Sequence, residues 1–397
     1  MVMRRRTFIK AAGGVAAGAL AFGQEPSLSI GIVGGGIIGA SVALHLSAAG
    51  ADVTLFEKEA PAAGATGKSF AWINAHTNDP HYRALRMKSI AAYRELDRAL
   101  GLDVMWGGAI TWVTSLAEAE QLKASSREFS RDGYDSRVIS VTEMASLVPN
   151  VRLGAHEAAI FNAMDGHIDP VSVTKKMLAK ATEQGALLVH PCDVTELRFV
   201  GNRLLGVDTT SGEYALDRLV IAGGTDTPSL ASQAGFALPL KHAPGILLHT
   251  TPQAAVLSRV MESPGTYFKQ NPDGRIVGSD APYAPDLPVH VEILRAATEM
   301  PAEIRAMHGE RILGKVSEMM PGVVDARYDF LTLGYRPLPE DGLPVAGPAP
   351  DRPDVYVAVM HSGVTLAPIM GRYITQELLT GVPVDELAPY RPGRFRG

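Results

Sequence analysis

The sequence predicts an α/β dinucleotide-binding domain that is interrupted and then resumed along the chain. Three observations predict it. A glycine cluster separates an apolar strand from a helix at residues 27–50, and apolar strands return after Gly185. A second strand, glycine turn and helix then follow at residues 355–379. Strands that come back after so long an interruption imply a discontinuous domain.

The first unit carries the most specific pattern. Residues 27–33 read as a short buried strand, followed by Gly34-Gly35-Gly36-Ile37-Ile38-Gly39, a helical stretch from Ala40 to Ala49, and Gly50. A second strand, Asp52 to Phe56, delivers Glu57 and then Lys58. Gly34 permits a tight turn, Gly36 admits a pyrophosphate close to the backbone, and Gly39 lets the helix pack on the strand. The helix start at Ile37 and Ile38 offers unpaired N–H groups to phosphate. Glu57 is placed to accept both ribose hydroxyls of an adenosine, and its charge disfavours a 2′-phosphate. This spacing alone leaves FAD and NAD open. In the small, polar segment Ala62 to Ser69, Thr66 and Ser69 can donate to phosphate or ribityl oxygens, although a plain surface loop is the alternative. His76 is a site candidate without an assigned role.

The next elements continue the domain. Asp169-Pro170 opens a helix through about Glu183, and Gly185 precedes a strand from Ala186 to His190. Val194 lies on a further stretch able to line an adenine pocket. Residues 204–209 and 214–221 read as a hairpin around Ser211-Gly212, running into Ala222-Gly223-Gly224, where Gly223 allows close contact with a cofactor.

The last unit runs from Gly334-Tyr335-Arg336-Pro337 through Glu340-Asp341-Gly342 to the strand Val355 to Met360. The turn His361-Ser362-Gly363 and then Val364-Thr365 start a helix toward Leu379. A second positive helix end near the cofactor can stabilise charge that develops on it. Taken with the first glycine motif and Glu57, these segments resemble the D-amino-acid oxidase/glycine oxidase superfamily over roughly residues 28 to 390. The resemblance implies an α/β FAD-binding Rossmann-like domain (glutathione-reductase-like) with an inserted α+β substrate domain whose antiparallel sheet covers the flavin. It also implies hydride transfer to flavin N5 from a carbon bearing an amine, followed by imine hydrolysis.

Arg336 matches the arginine that binds substrate carboxylate in the amino-acid-oxidising members, and a guanidinium can hold a carboxylate bidentately. A structural ion pair with Glu340 or Asp341 is the alternative. His361 falls where such members carry a polar residue near the flavin, while Tyr335 packs beside Arg336. Gly363, Val364 and Thr365 complete the expected flavin contacts. Covalent flavin in related proteins uses a C-terminal cysteine; Cys192 is the single cysteine here and lies outside that region, so non-covalent FAD is expected. No metal-ligand cluster stands out, and one cysteine excludes an intrachain disulfide. The partners implied are a small carboxylated amine and either oxygen or a respiratory electron acceptor. A 2-hydroxy acid as substrate, or a non-catalytic flavoprotein, stays open.

This reading divides the chain into an export signal (1–21), FAD-binding segments (22–80, 156–238, 326–397) and substrate-domain segments (81–155, 239–325). Helices are expected in 81–155, with Tyr82 to Leu100 amphipathic, and over Val291 to Met307. Strands are expected around Val104 to Val113, at Gly245 to Thr250, at Thr266 to Gln270 and at Arg275 to Gly278, the last two joined by the turn Asn271-Pro272-Asp273-Gly274. Tyr267, Lys269, His249 and His242 are candidates for the face toward the flavin.

Residues 1–21 carry Arg4, Arg5, Arg6 and Lys10 and no acid, then a soft apolar run closing on Ala19-Leu20-Ala21. The Arg5-Arg6 pair with Phe8 and Lys10 resembles the twin-arginine signal, which exports folded proteins across the bacterial inner membrane. An ordinary secretory signal or an uncleaved anchor is the alternative. Removing four basic residues and no acid shifts the net charge from −5 to −9, which argues against nucleic-acid partners.

Overall fold

The computed structural model describes residues 28–152, 154, 156–280, 300–320 and 325–396. The candidate export signal and the first part of the expected 291–307 helix lie outside these residues. Among the described residues no helix is long and apolar enough to cross a membrane.

A six-stranded sheet organises the nucleotide half, in the order 345–349, 352–359, 218–221, 29–33, 52–56, 187–189. All neighbours are parallel except the pair 345–349/352–359. Alternation along the first strand explains its two covered faces. Ile30 and Ile32 point into a core shared with Val42, Leu46, Met370 and Ile374 of the helices Ile37–Ala48 and Gly363–Thr380. Val33, with Leu219, Ile221 and Val357, faces a second core. That core is covered by a three-stranded antiparallel sheet, 194–200, 203–209 and 212–215. The result is helices, parallel sheet and small antiparallel sheet in three layers.

The helices Ile37–Ala48 and Gly363–Thr380 touch at backbone distance. Ser41 Oγ donates to Ala367 O at 2.7 Å, and a Cβ built on Gly371 would stand 2.4 Å from Ser41 Oγ. The helix Pro170–Glu183 packs against the other side of Ile37–Ala48, capped by Asp169, whose Oδ1 accepts from Val171 N at 2.9 Å.

The second sheet has eight strands in the order 328–335, 244–250, 276–280, 266–270, 260–263, 109–113, 158–162, 136–139. The turn expected at 271–274 joins two of them, with Asn271 N donating to Arg275 O at 2.8 Å. This sheet is mixed rather than purely antiparallel, because 260–263 pairs parallel with 109–113.

Several expected boundaries move. Strands 158–162 and 328–335, assigned above to the nucleotide domain, belong to the eight-stranded sheet. Conversely, the helix Pro80–Leu100 packs on Gly363–Thr380: Ser89 Oγ donates to Thr365 O (2.6 Å) and Tyr93 OH to Val364 O (2.7 Å). Its apolar face therefore fills the nucleotide-domain core, not the substrate domain. The expected hairpin is also shorter. Strand 203–209 pairs with 212–215, and 218–221 departs for the parallel sheet, pinned where Asp217 N donates to Ser29 O (2.9 Å) and Ser29 N to Asp217 Oδ2 (3.0 Å). Of the helix expected over Val291 to Met307, the described part begins at Ala302 and runs on to Met319, covering the larger sheet.

The glycine turn admits no side chain at its last position, since a Cβ on Gly39 would lie 2.0 Å from Gly34 O. Gly39→Ala is therefore expected to cost about 1–3 kcal/mol through overpacking, read as a lower urea midpoint. An unchanged midpoint contradicts this packing.

Candidate cofactor and substrate site

One elongated cavity of about 1100 Å³ runs from the glycine turn to the underside of the eight-stranded sheet. It exceeds the roughly 300–1,000 Å³ of a drug-sized site and suits a long ligand.

At one end Gly34 adopts a φ of +104°, and a Cβ there would meet Ala222 O at 2.5 Å, so the turn needs glycine on both counts. Gly34, Gly36, Ile37 and Ile38 line the cavity, whereas Gly39 serves the packing just described. The helix begins at Gly36 with no side-chain cap on Gly36 itself, and Ile37 N donates to Thr66 Oγ1 at 3.0 Å. Thr66 keeps its hydroxyl proton to donate. Ser69 does not: its Oγ donates to Thr66 O at 2.7 Å, which leaves it an acceptor and corrects its expected donor role. Glu57 is oriented by two amides, Gly35 N to Oε2 (2.7 Å) and Glu59 N to Oε1 (2.8 Å), with lone pairs left for hydroxyl donors. Val194 and Gly223 line the same end. Cys192 N donates to Glu57 O at 2.7 Å, which puts the cysteine beside the acid. Lys58 reaches across the rim to Asp226 at 2.7 Å, and that hydrogen bond raises its pKa. The pair is exposed, so it closes the rim without adding much stability.

The far end is built where the strand 352–359 turns into the helix Gly363–Thr380. Gly363, Val364 and Thr365 line the cavity, and Ser362 leaves the helix start uncapped by its side chain. Thr365 Oγ1 donates to Trp72 O (3.2 Å) and accepts from Asn74 N (3.4 Å), tying residues 72–74 to the helix. Arg336 follows the strand Tyr328–Tyr335; its Nη2 donates to Pro244 O at 3.0 Å and its Nε to Ala243 O at 3.3 Å. Asp341 is turned away, paired with Arg394 at 2.6 Å, so the ion pair considered between Arg336 and Asp341 does not form. His361 opens onto the cavity while protein surrounds it otherwise. Burial, then Arg336 and Arg86, lower its pKa to about 4, and the imidazole is neutral near pH 7. Tyr335 lines the cavity with its ring 4.9 Å from that of His242.

Among the sheet candidates, Tyr267 reaches the cavity wall. His249 stacks on Phe330 across the strand pair (4.3 Å), and buried Lys269 donates to Ile168 O (2.7 Å), its pKa lowered by burial to about 7. His242 packs on Tyr335 outside the lining. Sequence reasoning missed Lys68, Arg86 and Glu262, which line the cavity, and Asp165 behind it. Arg86 looked like one more charge on an amphipathic helix, yet its Nη2 donates to Asn74 Oδ1 and its Nη1 to His76 O, each at 2.8 Å.

Two helix starts aimed into one cavity, with a carboxylate at its nucleotide end, fit a dinucleotide carrying a second ring system. A family model described as FAD dependent oxidoreductase matches residues 29–377. The chain belongs to that family. Its cofactor is FAD. Dimethylglycine dehydrogenase of Rattus norvegicus is 25% identical over 383 residues, covering 92% of this chain and 44% of that protein. The chain thus spans less than half the length of that relative. Glycine oxidase of Geobacillus kaustophilus is 24% identical over 384 residues, covering 93% of this chain and 97% of the relative. The solved L-proline dehydrogenase of P. horikoshii has the same fold, with a TM-score of 0.81 at 22% identity over 93% of this chain and 98% of that one.

His361 carries a pH signature. Its neutral form is favoured in the folded state, so the stability this gives is present above pH 6.5 and is lost as pH falls toward about 4. His361→Gln is expected to flatten the loss of thermal midpoint over that window, with His249 still contributing in both proteins. Identical slopes contradict the desolvated, cation-flanked environment at the cavity wall.

Proposed function

We propose that this chain oxidises the C–N bond of a small carboxylated amine, an amino acid or secondary amine, using non-covalently held FAD. The observation that carries the reading is Arg336 at the far end of the cavity, on the same wall as the Gly363 helix start and neutral His361. Gly34, Gly36, Ile37 and Ile38 would hold the pyrophosphate, Glu57 the ribose, and Val364 and Thr365 the flavin edge. When bound, FAD supplies a two-electron acceptor for the hydrogen leaving the carbon next to nitrogen.

The chain's own residues do the rest. Arg336, fixed by the carbonyls of Ala243 and Pro244, holds the carboxylate and so aims the C–H bond. His361 stays uncharged and adds no repulsion toward an ammonium. The eight-stranded sheet, through Ile246, Leu247 and Tyr267, closes the space over the reacting atoms and excludes water. Both oxygen and a respiratory carrier fit as final electron acceptor. Cys192, beside Glu57 at the nucleotide end, supports a flavin without a cysteine link.

Purified protein is expected to be yellow and to lose its visible flavin absorbance when the correct amine is added without oxygen. A holoprotein that no amine or hydroxy acid reduces contradicts the reading; reduction by hydroxy acids alone replaces it with the hydroxy-acid alternative. Arg336→Ala is expected to weaken carboxylate substrates by at least about 2 kcal/mol while FAD remains bound. Undiminished affinity removes the assigned role.

The Arg5-Arg6 pair supports export of the folded, FAD-loaded chain. Replacing both with lysine is expected to leave the flavoprotein in the cytoplasmic fraction; unchanged fractionation contradicts twin-arginine export.

A further inference from the structure

A buried polar network lies behind the cavity wall and is not used in the reading above. Asp165 is fully buried; Trp72 Nε1 (2.9 Å) and Tyr134 OH donate to its carboxylate, and His76 Nε2 stands 3.2 Å from it. Burial pushes the Asp165 carboxyl up from its usual range, while His76, Trp72 and Arg86 oppose that push.

His76 is the member that reaches the cavity. Its side chain is 21% exposed and lines the cavity wall. The ring is held edge-on by Trp72 at 4.8 Å and stacked on Phe129 at 5.8 Å. Asn162 stands 2.9 Å from the same Nε2, and its Oδ1 is buried with no partner among the described residues. Turning that amide over makes Oδ1 a second acceptor for Nε2–H. With the Asn162 amide assigned that way, Nε2 carries the proton toward Asp165 and Asn162, and Nδ1 carries the lone pair with no hydrogen-bond partner among the described residues. The backbone is fixed as well, by His76 N on Asn74 Oδ1 (3.1 Å) and Arg86 on His76 O. The titratable and charged groups around the ring are Asp165, Tyr134 and Arg86, with Arg83, Glu128 and Asp132 behind Phe129.

We propose that His76, oriented by Asp165, takes the proton from the substrate's ammonium, which frees the amine lone pair before the neighbouring C–H bond breaks. This rests on the amine-oxidation reading. The N–H bond of the ammonium breaks with its electron pair left on nitrogen, and an Nδ1–H bond forms on His76. No oxidation state changes in that step. The imidazolium so formed faces the Asp165 carboxylate, 3.2 Å from Nε2. The proton leaves to water after the imine product departs. His76 is the proton acceptor and Asp165 a positioning residue.

The test uses the FAD-loaded full chain and the amine that reduces it fastest, mixed without oxygen while flavin absorbance is followed. His76→Gln keeps a donor toward Asp165 but cannot accept the proton. It is expected to lower the limiting reduction rate near neutral pH about 100-fold, with apparent substrate affinity within about threefold of wild type. The deficit is expected to shrink as pH approaches the amine's own pKa, where the substrate arrives already neutral. Asp165→Asn is expected to show a smaller deficit of the same shape. A wild-type rate in His76→Gln, or a deficit equal at every pH, overturns the proposal, as does a loss that appears in Glu262→Gln instead. Nitrogen-15 histidine spectra of the holoprotein give a readout apart from turnover: the His76 resonance, absent in His76→Gln, should report the Nε2–H tautomer. An Nδ1–H tautomer overturns the proposal even if every variant is unstable. Failure of any amine to reduce the wild type is a different outcome, and it overturns the amine reading itself.

Discussion

The close contact between the helices Ile37–Ala48 and Gly363–Thr380 is the constraint on which the rest of the site depends. A helix start binds negative charge only where its unpaired N–H groups point at the ligand. Here two such starts, more than 300 residues apart in sequence, must address one cavity. Gly371 permits that approach, because any side chain there would strike Ser41 and His45. The Ser41 hydroxyl then bonds to the neighbouring helix at Ala367 O. With this crossing fixed, one helix start faces the pyrophosphate position and the other faces the opposite end of the cavity.

Elements from both halves of the chain close the far end of the cavity. The eight-stranded sheet covers the far end, and its last strand ends at Arg336, held by two backbone carbonyls. Helix Pro80–Leu100 supports the other side, with Ser89 and Tyr93 bonded to the carbonyls of Thr365 and Val364. The same helix contributes Arg86, which holds the backbone beneath His76. Surrounding protein, then Arg336 and Arg86, keep His361 neutral, whereas the His76 ring stands 3.2 Å from the Asp165 carboxylate with Arg86 on its backbone carbonyl.

Local chemistry was legible in the sequence; long-range pairing was not. The glycine turn, the helix start at Asp169-Pro170 and the Asn271–Gly274 turn each rest on neighbours a few residues away, and the structure has each of them. Residues 158–162 and 328–335 fell within segments assigned to the nucleotide domain, yet they form strands of the eight-stranded sheet. Only their partners, 109–113 and 244–250, decide that placement. Ser69 looked like a phosphate donor because a sequence does not show that its proton goes to Thr66 O. Asp165 was missed for the same reason: the groups around it come from two other segments, Trp72 and His76 in one and Tyr134 in the other.

The central claim is that one cavity holds FAD between the two helix starts and presents Arg336 to a carboxylate. A crystal structure of the FAD-loaded protein with a non-oxidisable carboxylate inhibitor tests it most directly. The account predicts the pyrophosphate at the start of helix Ile37–Ala48, beside Ile38 and the Thr66 hydroxyl, the flavin against Val364 and Thr365, and the inhibitor's carboxylate on the Arg336 guanidinium. A flavin bound away from the Gly363 helix start, or a carboxylate held elsewhere with Arg336 uninvolved, contradicts it.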